Sequence, residues 1–399
     1  MDAQATEGLL RFFRSIQDPR AGNARHSMSD VLSVAILAVL CGAEGWVAVE
    51  TWGRGNAEWL STFLGLPHGI PSHDTFDRVF GLLDPLAFEK CFNDWTAALV
   101  KNAEGLFIAV DGKTLRRSWK HAWSKTPVHL VSAFVSKNQV VLGQVATDSK
   151  SNEITAIPEL LAMLELAGAT VTIDAMGCQR EIARQIREQK GHYVLAVKDN
   201  QPTLHAKVRT LMDDLILDHA KGMSDANGVA GARVGFFEQA QDTNNHGRVE
   251  TRRVWVSDEV NWLGKELLDL WPGLSSVVAV ECTRQDLGDP GGKVSTERRY
   301  FISSHTGTDA EFLADAIRSH WGVENGLHWC LDVAMNEDQC RLRMNHGAEN
   351  FSRLRRIALN KLKRWEITKE NGIVMKVGIR LKQQACGWSR KFLIEALLA

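Results

Sequence analysis

Two aspartates stand directly after short apolar runs, where buried strands are expected to end. Asp111 follows Leu106–Val110, and Asp174 follows Thr170–Ile173. Open α/β sheets commonly bind ligands at the carboxyl ends of their strands. Paired carboxylates there offer hard oxygen ligands to Mg²⁺ or Mn²⁺, and their mutual repulsion is costly without a cation. Together they predict a divalent metal site, although each alone is also typical of an Asp-Gly turn or a helix cap.

A third carboxylate is expected on a helix further along the chain. The segment 317–329 offers Glu324, and His328 lies four residues later on the same predicted helical face. A glutamate on a helix is by itself most often a solvated residue, so this assignment depends on the two strand-end aspartates. The three acids together predict a carboxylate metal site.

The elements that must carry these acids are predicted from apolar periodicity and turn residues. Strand-like runs at 106–110, 129–135 and 140–145 precede a helix at 153–167, a strand at 170–173, a helix at 179–189 and a strand at 193–197. The order β-β-β-α-β-α-β is that of an α/β fold with an RNase H-like core, a mixed five-stranded sheet with flanking helices. In that core the first strand lies beside the fourth, which would bring Asp111 and Asp174 together.

The spacing of apolar residues and the distribution of charge divide the chain into a helical N-terminal domain, a core in two parts, a β-rich insertion and a basic tail. The predicted bounds are 1–104 for the helical domain, 105–200 and 308–365 for the core, 201–307 for the insertion and 366–399 for the tail. Val31–Leu40 predicts a buried helix too short to span a bilayer. A helix beginning after Pro71 could read DNA or simply pack. Thr308 and Glu311 predict a capping box before the helix of Glu324.

Charge and cysteine content narrow the class of protein. Lys plus Arg number 47 and Asp plus Glu 48, so the overall charge neither indicates nor excludes a nucleic-acid partner. From Arg341 onward, 14 basic residues stand against 4 acidic ones. This concentration favours phosphate binding about as strongly as a solvated helical face. Seven cysteines without a CxxC pair, and no signal-peptide pattern, predict a cytoplasmic protein with reduced thiols.

Several motifs give the chain a resemblance to a known family. They are Asp18-Pro19-Arg20, Arg25-His26, Val110-Asp111-Gly112-Lys113, Asp174-Ala175, Val197-Lys198-Asp199-Asn200-Gln201-Pro202, His246-Gly247-Arg248 and the stretch from Trp321 through Glu324-Asn325 to Asp338. On these motifs the chain resembles, over nearly its whole length, insertion-sequence transposases of the DDE type, in the branch related to H-repeat-associated proteins. The resemblance implies that Asp111, Asp174 and Glu324 are the catalytic triad.

That resemblance also implies a chemistry and its partners. The triad would hold Mg²⁺, with Mn²⁺ as a substitute, as two ions per active site when DNA is bound. The reactions would be strand cleavage at the element ends and transfer of the exposed 3′-hydroxyl to target DNA. The partners would be double-stranded DNA, both terminal inverted repeats and target, bound by a homodimer. No membrane is involved, and the protein would associate with the nucleoid when acting.

The surroundings of the third acid depart from the related transposases. Those proteins place a Tyr near the catalytic Glu, an Arg four residues before it and a Lys seven residues after it, where this chain has Ile317, His320 and Leu331. Candidate DNA or phosphate contacts are therefore sought among basic side chains near the acids and in the C-terminal segment: Lys113, Lys198, His320, His328, Arg355 and Arg356.

Three other interpretations remain open on the sequence. The first is a metal-dependent nuclease of the same fold that cleaves without joining strands, and the second is a domesticated DNA-binding protein without activity. The third is a zinc site formed by His328, Cys330, Cys340 and His346, although their spacing matches no standard pattern. The first two interpretations keep the fold of a transposase and lack its strand-joining reaction. The third assigns the metal to a different set of ligands.

Overall fold

A computed structural model describes residues 7–20, 22, 24–100, 102–118, 127–147, 153–220, 234–243, 248–286, 294–369 and 372–399. The chain forms two units, each assembled from separate stretches of sequence. The first comprises Met1–Asn102, Asp111–Leu164 and Gly322–Ala399, and the second comprises Ala103–Val110 and Glu165–Trp321. The motif predicted at His246-Gly247 lies outside the described residues.

The described α-helices are distributed along the whole chain. They are α1 (Met28–Leu40), α2 (Trp46–Gly55), α3 (Ala57–Leu60), α4 (His73–Leu82), α5 (Pro85–Leu99), α6 (Glu153–Ala162), α7 (Arg180–Glu188), α8 (Pro202–Ala220), α9 (Lys265–Leu270), α10 (Ala310–Val323), α11 (Gly347–Arg364), α12 (Ile379–Trp388) and α13 (Arg390–Leu398). The strands are β1 (Phe107–Thr114), β2 (His129–Val135), β3 (Val140–Thr147), β4 (Thr170–Ile173), β5 (His192–Val197), β6 (Val234–Thr243), β7 (Arg248–Ser257), β8 (Ser276–Asp286) and β9 (Ser295–Ser303).

Helices α1 and α4 of the first unit confirm two predicted helices. The Ser27 side chain accepts from the Asp30 N–H at 3.0 Å and starts α1, whose residues from Val31 to Leu40 are all buried. Ser72 caps α4 in the same way, accepting from the Thr75 N–H at 3.3 Å. No helix in the described part of the chain is long and apolar enough to cross a membrane.

The strands of the first unit form an antiparallel hairpin beside the end of β1. β2 and β3 pair from His129↔Thr147 to Val135↔Val140, and β2 also neighbours β1. β2 is buried throughout, so both of its faces are covered by other parts of the protein. The predicted hairpin is therefore confirmed, with β3 extending two residues beyond its predicted end.

The second unit contains a large mixed sheet with strand order β1-β4-β5-β9-β8-β7-β6. β1, β4 and β5 are parallel, which confirms the predicted neighbours, and the remaining pairs are antiparallel. The expected five-stranded sheet is wrong in one respect, because β9 pairs with β5 over Val194–Val197. An unpaired β5 edge would leave a row of unsatisfied backbone groups, and β9 covers it.

Three further elements differ from the predictions. The region 201–307, predicted to be β-rich, begins with α8, whose buried residues recur at helical spacing from Leu204 through Val208 to Leu215. β6 occupies part of a stretch predicted only as polar. The predicted capping box of Thr308 and Glu311 is wrong, because Asp309 caps α10 instead, its side chain accepting from the Phe312 N–H at 3.0 Å.

Candidate active site

Asp111 lies in β1, at the point where the strand passes from the residues of the second unit to those of the first. Its Oδ1 accepts from the Gly112 N–H at 2.9 Å, and its side chain is 20% exposed. The strand is buried on its approach, from Ile108 to Val110. A rigid apolar strand thus carries a carboxylate that solvent reaches only in part.

Gly112 allows a buried polar trio to lie directly against this strand. A Cβ atom at Gly112 would come within 2.6 Å of His129 Nε2 and would also meet Glu153 Oε1. His129 Nε2 and Glu153 Oε1 are 2.6 Å apart, and His129 Nδ1 is 2.8 Å from Thr114 Oγ1. Because a side chain at this position would collide with fixed groups, only glycine fits beside Asp111.

Asp174 follows β4 in the second unit. The parallel register pairs Val110 with Ile173, the residues that immediately precede the two aspartates. Asp174 is exposed, and its Oδ1 accepts from the N–H groups of Met176 at 3.1 Å and Gly177 at 3.4 Å, which caps a 3₁₀ turn. The capping role considered from the sequence is therefore present. Both of these hydrogen bonds use Oδ1 and neither uses Oδ2.

Helix α10 does not continue as a regular α-helix at the third acid. Two π-helical turns follow, Glu324–His328 and Cys330–Ala334. Their wider i→i+5 bonds run from the Trp329 N–H to the Glu324 carbonyl and from the Met335 N–H to the Cys330 carbonyl. Single π turns within helices are rare and occur frequently at functional sites.

Asp111, Glu324 and His328 gather at one place in the first unit. Each offers a ligand atom, and these atoms lie within 4.8 Å of one another. His328 Nδ1 is 3.6 Å from Asp111 Oδ2 and 3.7 Å from Glu324 Oε2. The Glu324 side chain is 67% exposed and that of His328 is 8% exposed, so the group is open to solvent on the glutamate side.

Two glycines let the π-helical turns approach the β2–β3 hairpin closely. A Cβ atom at Gly326 would lie 2.9 Å from Phe134 Cζ, and one at Gly322 would lie 2.9 Å from Ser136 Cβ. Carbon atoms in contact are normally about 3.5–4.0 Å apart, so neither position accepts a side chain without movement. The glycines therefore fix the depth at which Glu324 sits over the hairpin.

Lys113 lies two residues after Asp111 and is buried, with 8% of its side chain exposed. Its Nζ lies 2.5 Å from Asp332 Oδ1, 3.0 Å from Glu337 Oε2 and 3.5 Å from Asp338 Oδ1. Burial disfavours its charged form, but Glu337 and Asp332 outweigh this effect and raise the pKa of Lys113. The expectation of a phosphate contact is corrected, because three carboxylates already surround this ammonium.

Glu337 connects that lysine to helix α11. Arg356 Nη1 donates to Glu337 Oε1 at 3.1 Å, and the Ser352 hydroxyl donates to the same oxygen at 2.6 Å. Burial would raise the pKa of the Glu337 carboxyl, but Lys113 and Arg356 lower it. A buried ion network thus ties the strand of Asp111 to the segment that follows the π-helical turns.

Arg355 and Arg356 are not surface residues, which corrects the expectation that they contact DNA. Both are buried within α11, with 1% and 0% of their surface exposed. Arg355 stacks over the Phe351 ring at 4.4 Å, and Arg356 bonds to Glu337. A count of basic residues cannot separate arginines paired inside a core from arginines facing solvent.

The remaining basic candidates lie in the second unit. His320 is half-buried on α10, and its Nδ1 lies 3.2 Å from both the hydroxyl and the carbonyl oxygen of Thr172 in β4. Lys198 is exposed directly after β5. His320 thus contacts the strand that leads to Asp174, and Lys198 stands at the same strand-end edge of the sheet.

The zinc interpretation finds no support in the described residues. Among them, the group of three or more potential ligands consists of Asp111, Glu324 and His328, without Cys330 or Cys340. This donor set combines two carboxylates with one imidazole, which fits a divalent cation that accepts oxygen and nitrogen ligands. Sequence reasoning found all three residues, but it considered His328 as a zinc ligand or a phosphate contact and not as a ligand beside Asp111 and Glu324.

Comparison with known proteins agrees with this geometry. A family model described as "Transposase DDE domain" matches residues 102–361, and one described as "DDE_Tnp_1-associated" matches residues 10–96. The chain is 38% identical over 393 residues to "H repeat-associated putative transposase YhhI" of Escherichia coli (strain K12), covering 98% of this chain and 97% of that protein.

Two further relatives are similarly close. "Putative transposase YncI" of Escherichia coli O157:H7 is 41% identical over 361 residues, which cover 90% of this chain and 87% of that protein. "Uncharacterized protein in dhlA 3'region" of Xanthobacter autotrophicus is 46% identical over 298 residues, 74% of this chain and 94% of that protein. A solved piggyBac transposase synaptic complex with hairpin DNA matches at a TM-score of 0.42 and 11% identity, covering 100% of this chain and 79% of that one, which is too low to carry a conclusion. With its DDE domain matched over residues 102–361, the chain belongs to the DDE transposase family and is a transposase, an enzyme that acts on DNA.

Proposed function

We propose that this transposase cleaves DNA strands at the ends of an insertion sequence and joins the exposed 3′-hydroxyl to target DNA, using Asp111, Asp174 and Glu324 as a carboxylate triad. The observation that carries the proposal is the convergence of Asp111, Glu324 and His328, whose ligand atoms lie within 4.8 Å of one another. Carboxylates from separate strands and helices gather in this way when a cation offsets their repulsion.

Asp174 enters the triad through the pairing of β1 with β4. Val110 is the register partner of Ile173, so the strands that lead to Asp111 and Asp174 run side by side in the same direction. Parallel strands present their carboxyl ends at one edge of a sheet, where ligands commonly bind. This pairing supports Asp174 as the second acid of the triad.

The metal that we propose is Mg²⁺, with Mn²⁺ as a substitute, as two ions per active site when DNA is bound. DDE transposases use divalent ions, and carboxylate oxygens are the donors that Mg²⁺ prefers. When bound, such ions activate a hydroxyl and stabilise the leaving oxygen of a phosphodiester. The residues themselves orient the ions: the β1 strand holds Asp111, and Gly322 and Gly326 set the depth of Glu324.

We also propose a role in DNA binding or catalysis for each part of the chain. Residues 105–200 and 308–365 would form an RNase H-like core, since β1–β5 and their connecting helices follow its order. The helices before residue 104 would read the terminal inverted repeats, and exposed Lys198 would contact a phosphate near the site. A homodimer acting in the cytoplasm, on the nucleoid, would hold the two ends, and target DNA would be the second substrate.

The test is an excision and strand-transfer assay with the gene's native flanking DNA placed on both sides of a marker. Wild type is compared with Asp111→Asn, Asp174→Asn and Glu324→Gln, each of which keeps the side-chain shape. Glu311→Gln is the matched control, since this exposed glutamate lies thirteen residues earlier on the same helix. We expect a loss of about 10³-fold or more for each triad variant and none for the control.

The outcomes separate the proposal from its rivals. Cleavage without transfer of the 3′-hydroxyl would identify a nuclease of the same fold. End binding without cleavage in wild type would identify a domesticated DNA-binding protein. Activity that survives in any of the three variants would remove that residue from the triad.

A further inference from the structure

His328 has an unusual environment for a buried histidine. Its ring lies between two carboxylates, and its buried Nε2 has no hydrogen-bond partner among the described residues. Buried polar side-chain atoms are hydrogen-bonded in the large majority of cases, so an unpartnered buried ring nitrogen is uncommon. The other ring nitrogen, Nδ1, is the one that faces the carboxylates of Asp111 and Glu324.

Direct pairing with the carboxylates does not account for the geometry. A charge-assisted N–H···O bond spans about 2.7–2.9 Å, whereas Nδ1 lies 3.6 Å from Asp111 Oδ2 and 3.7 Å from Glu324 Oε2. Ligand atoms around one cation are spaced more widely than hydrogen-bonded atoms. With metal–ligand distances of about 2.0–2.6 Å, two ligands on opposite sides are about 4–5 Å apart. Two ligands at right angles are about 2.8–3.7 Å apart, and the separations of His328 Nδ1 from the two carboxylates, 3.6 and 3.7 Å, fall in that range.

Both donors on this segment lie within the π-helical turn. The Trp329 N–H bonds to the Glu324 carbonyl, so this turn contains one residue more than an α-helical turn. Glu324 and His328 are the first and last residues of the turn, and both side chains approach Asp111. A backbone distortion at this position is consistent with a geometry selected for ligand placement rather than for helix stability.

We propose that His328 is a nitrogen ligand of the metal ion held by Asp111 and Glu324, and that it shifts the preference of this site from Mg²⁺ toward Mn²⁺. The proposal rests on the proposed function, because it takes the same metal centre as given. Mg²⁺ favours an all-oxygen octahedron, whereas imidazole suits later first-row ions, for which affinity rises along the series from Mn²⁺. An oxygen-only triad would lack this discrimination.

The decisive experiment detects the nitrogen directly. Full-length protein is loaded with Mn²⁺ in the absence of DNA, and the electron spin echo envelope is recorded for natural-abundance protein and for protein labelled with ¹⁵N-histidine. We expect ¹⁴N modulation characteristic of a coordinated imidazole, replaced by the ¹⁵N pattern after labelling. This measurement uses wild type alone, so it does not depend on whether a variant folds.

A binding series adds the metal preference. Titration calorimetry with Mn²⁺ and with Mg²⁺ is compared for wild type, His328→Asn, Asp111→Asn and the control His205→Asn. His205 is a suitable control because its Nδ1 lies 3.2 Å from a single carboxylate oxygen, that of Asp199. We expect His328→Asn to weaken Mn²⁺ binding about 10-fold or more and to change Mg²⁺ binding by less than about 3-fold, with no change for His205→Asn.

The failures of the two proposals are distinguishable. Mn²⁺ binding that is lost in Asp111→Asn but shows no histidine nitrogen coupling would overturn the role of His328 and leave the carboxylate site in place. Equal weakening of Mn²⁺ and Mg²⁺ in His328→Asn would refute the shift in preference. If Asp111→Asn binds Mn²⁺ as wild type does, or if wild type binds no Mn²⁺ even with its native flanking DNA present, the metal centre of the proposed function fails as well.

Discussion

Replacing Lys113 by methionine should destabilise the first unit and disturb the active site without removing any group that contacts DNA. The variant keeps most of the length of the side chain and deletes its charge. It leaves Glu337, whose side chain is fully buried, with Arg356 and a hydroxyl as its remaining partners. Breaking a buried ion pair by removing one partner costs about 3–5 kcal/mol. Asp332 and Asp338 are partly exposed and can be hydrated, so we expect a value near the lower limit, about 3 kcal/mol.

The assay is urea unfolding of the full chain, followed by circular dichroism, for Lys113→Met, Glu337→Gln and the double variant. The two single changes should be non-additive by about 1–3 kcal/mol, because the residues share one network. Lys198→Met is the control, since this lysine is exposed, and it should stay within about 0.5 kcal/mol of wild type.

A different result would refute this account of Lys113. If Lys113→Met unfolds within about 0.5 kcal/mol of wild type and weakens DNA binding, the side chain contacts a phosphate after all. Strict additivity with Glu337→Gln would likewise show that the two charges do not depend on each other.

Two further predictions concern the approach of the π-helical turns and the pH dependence of the second unit. Gly326→Ala places a methyl 2.9 Å from Phe134 Cζ. We therefore expect about 1–3 kcal/mol of destabilisation in urea unfolding and weaker Mn²⁺ binding in calorimetry. Unchanged metal affinity would contradict the role of this glycine. Burial, with His192 and Arg187 adding, lowers the pKa of His305 from 6.5 to about 4. The unfolded chain therefore takes up this proton first as pH falls, and the stability contribution, complete above pH 6.5, should decline by about 3 kcal/mol down to pH 4. His305→Asn should flatten that part of the curve in denaturation measured at pH 7, 5.5 and 4.5, and an unchanged slope would contradict the assignment.

Local patterns in the sequence were sufficient for the strands that deliver the acids. β2 and β4 have the bounds that their apolar runs predict, and the β1–β4 pairing follows from the predicted strand order. Helix α8 was predictable as well, since its buried residues recur at helical spacing, but it was missed within a region interpreted as β-rich. The helical spacing of its apolar residues is visible in the sequence.

The buried charges could not be predicted from local patterns. Lys113 meets Asp332 and Glu337, which lie 219 and 224 positions away in the sequence. Nothing in the neighbourhood of Lys113 or Arg356 indicates that their partners are carboxylates inside a core rather than phosphates in solution. Long-range ion pairs are invisible to residue counts, and for that reason the sequence does not distinguish the buried Arg355 and Arg356 from arginines that face solvent.

The π-helical turn at Glu324–His328 has a consequence for how related sequences are aligned. A turn closed by an i→i+5 bond holds one residue more than an α-helical turn while the flanking helix keeps its direction. A homologue that lost this one residue could present a glutamate and a histidine at the same two points with a spacing of three instead of four. Motif searches that require a fixed distance between the two residues would pass over such homologues, and an alignment without a gap there would pair one of the two residues with the wrong neighbour.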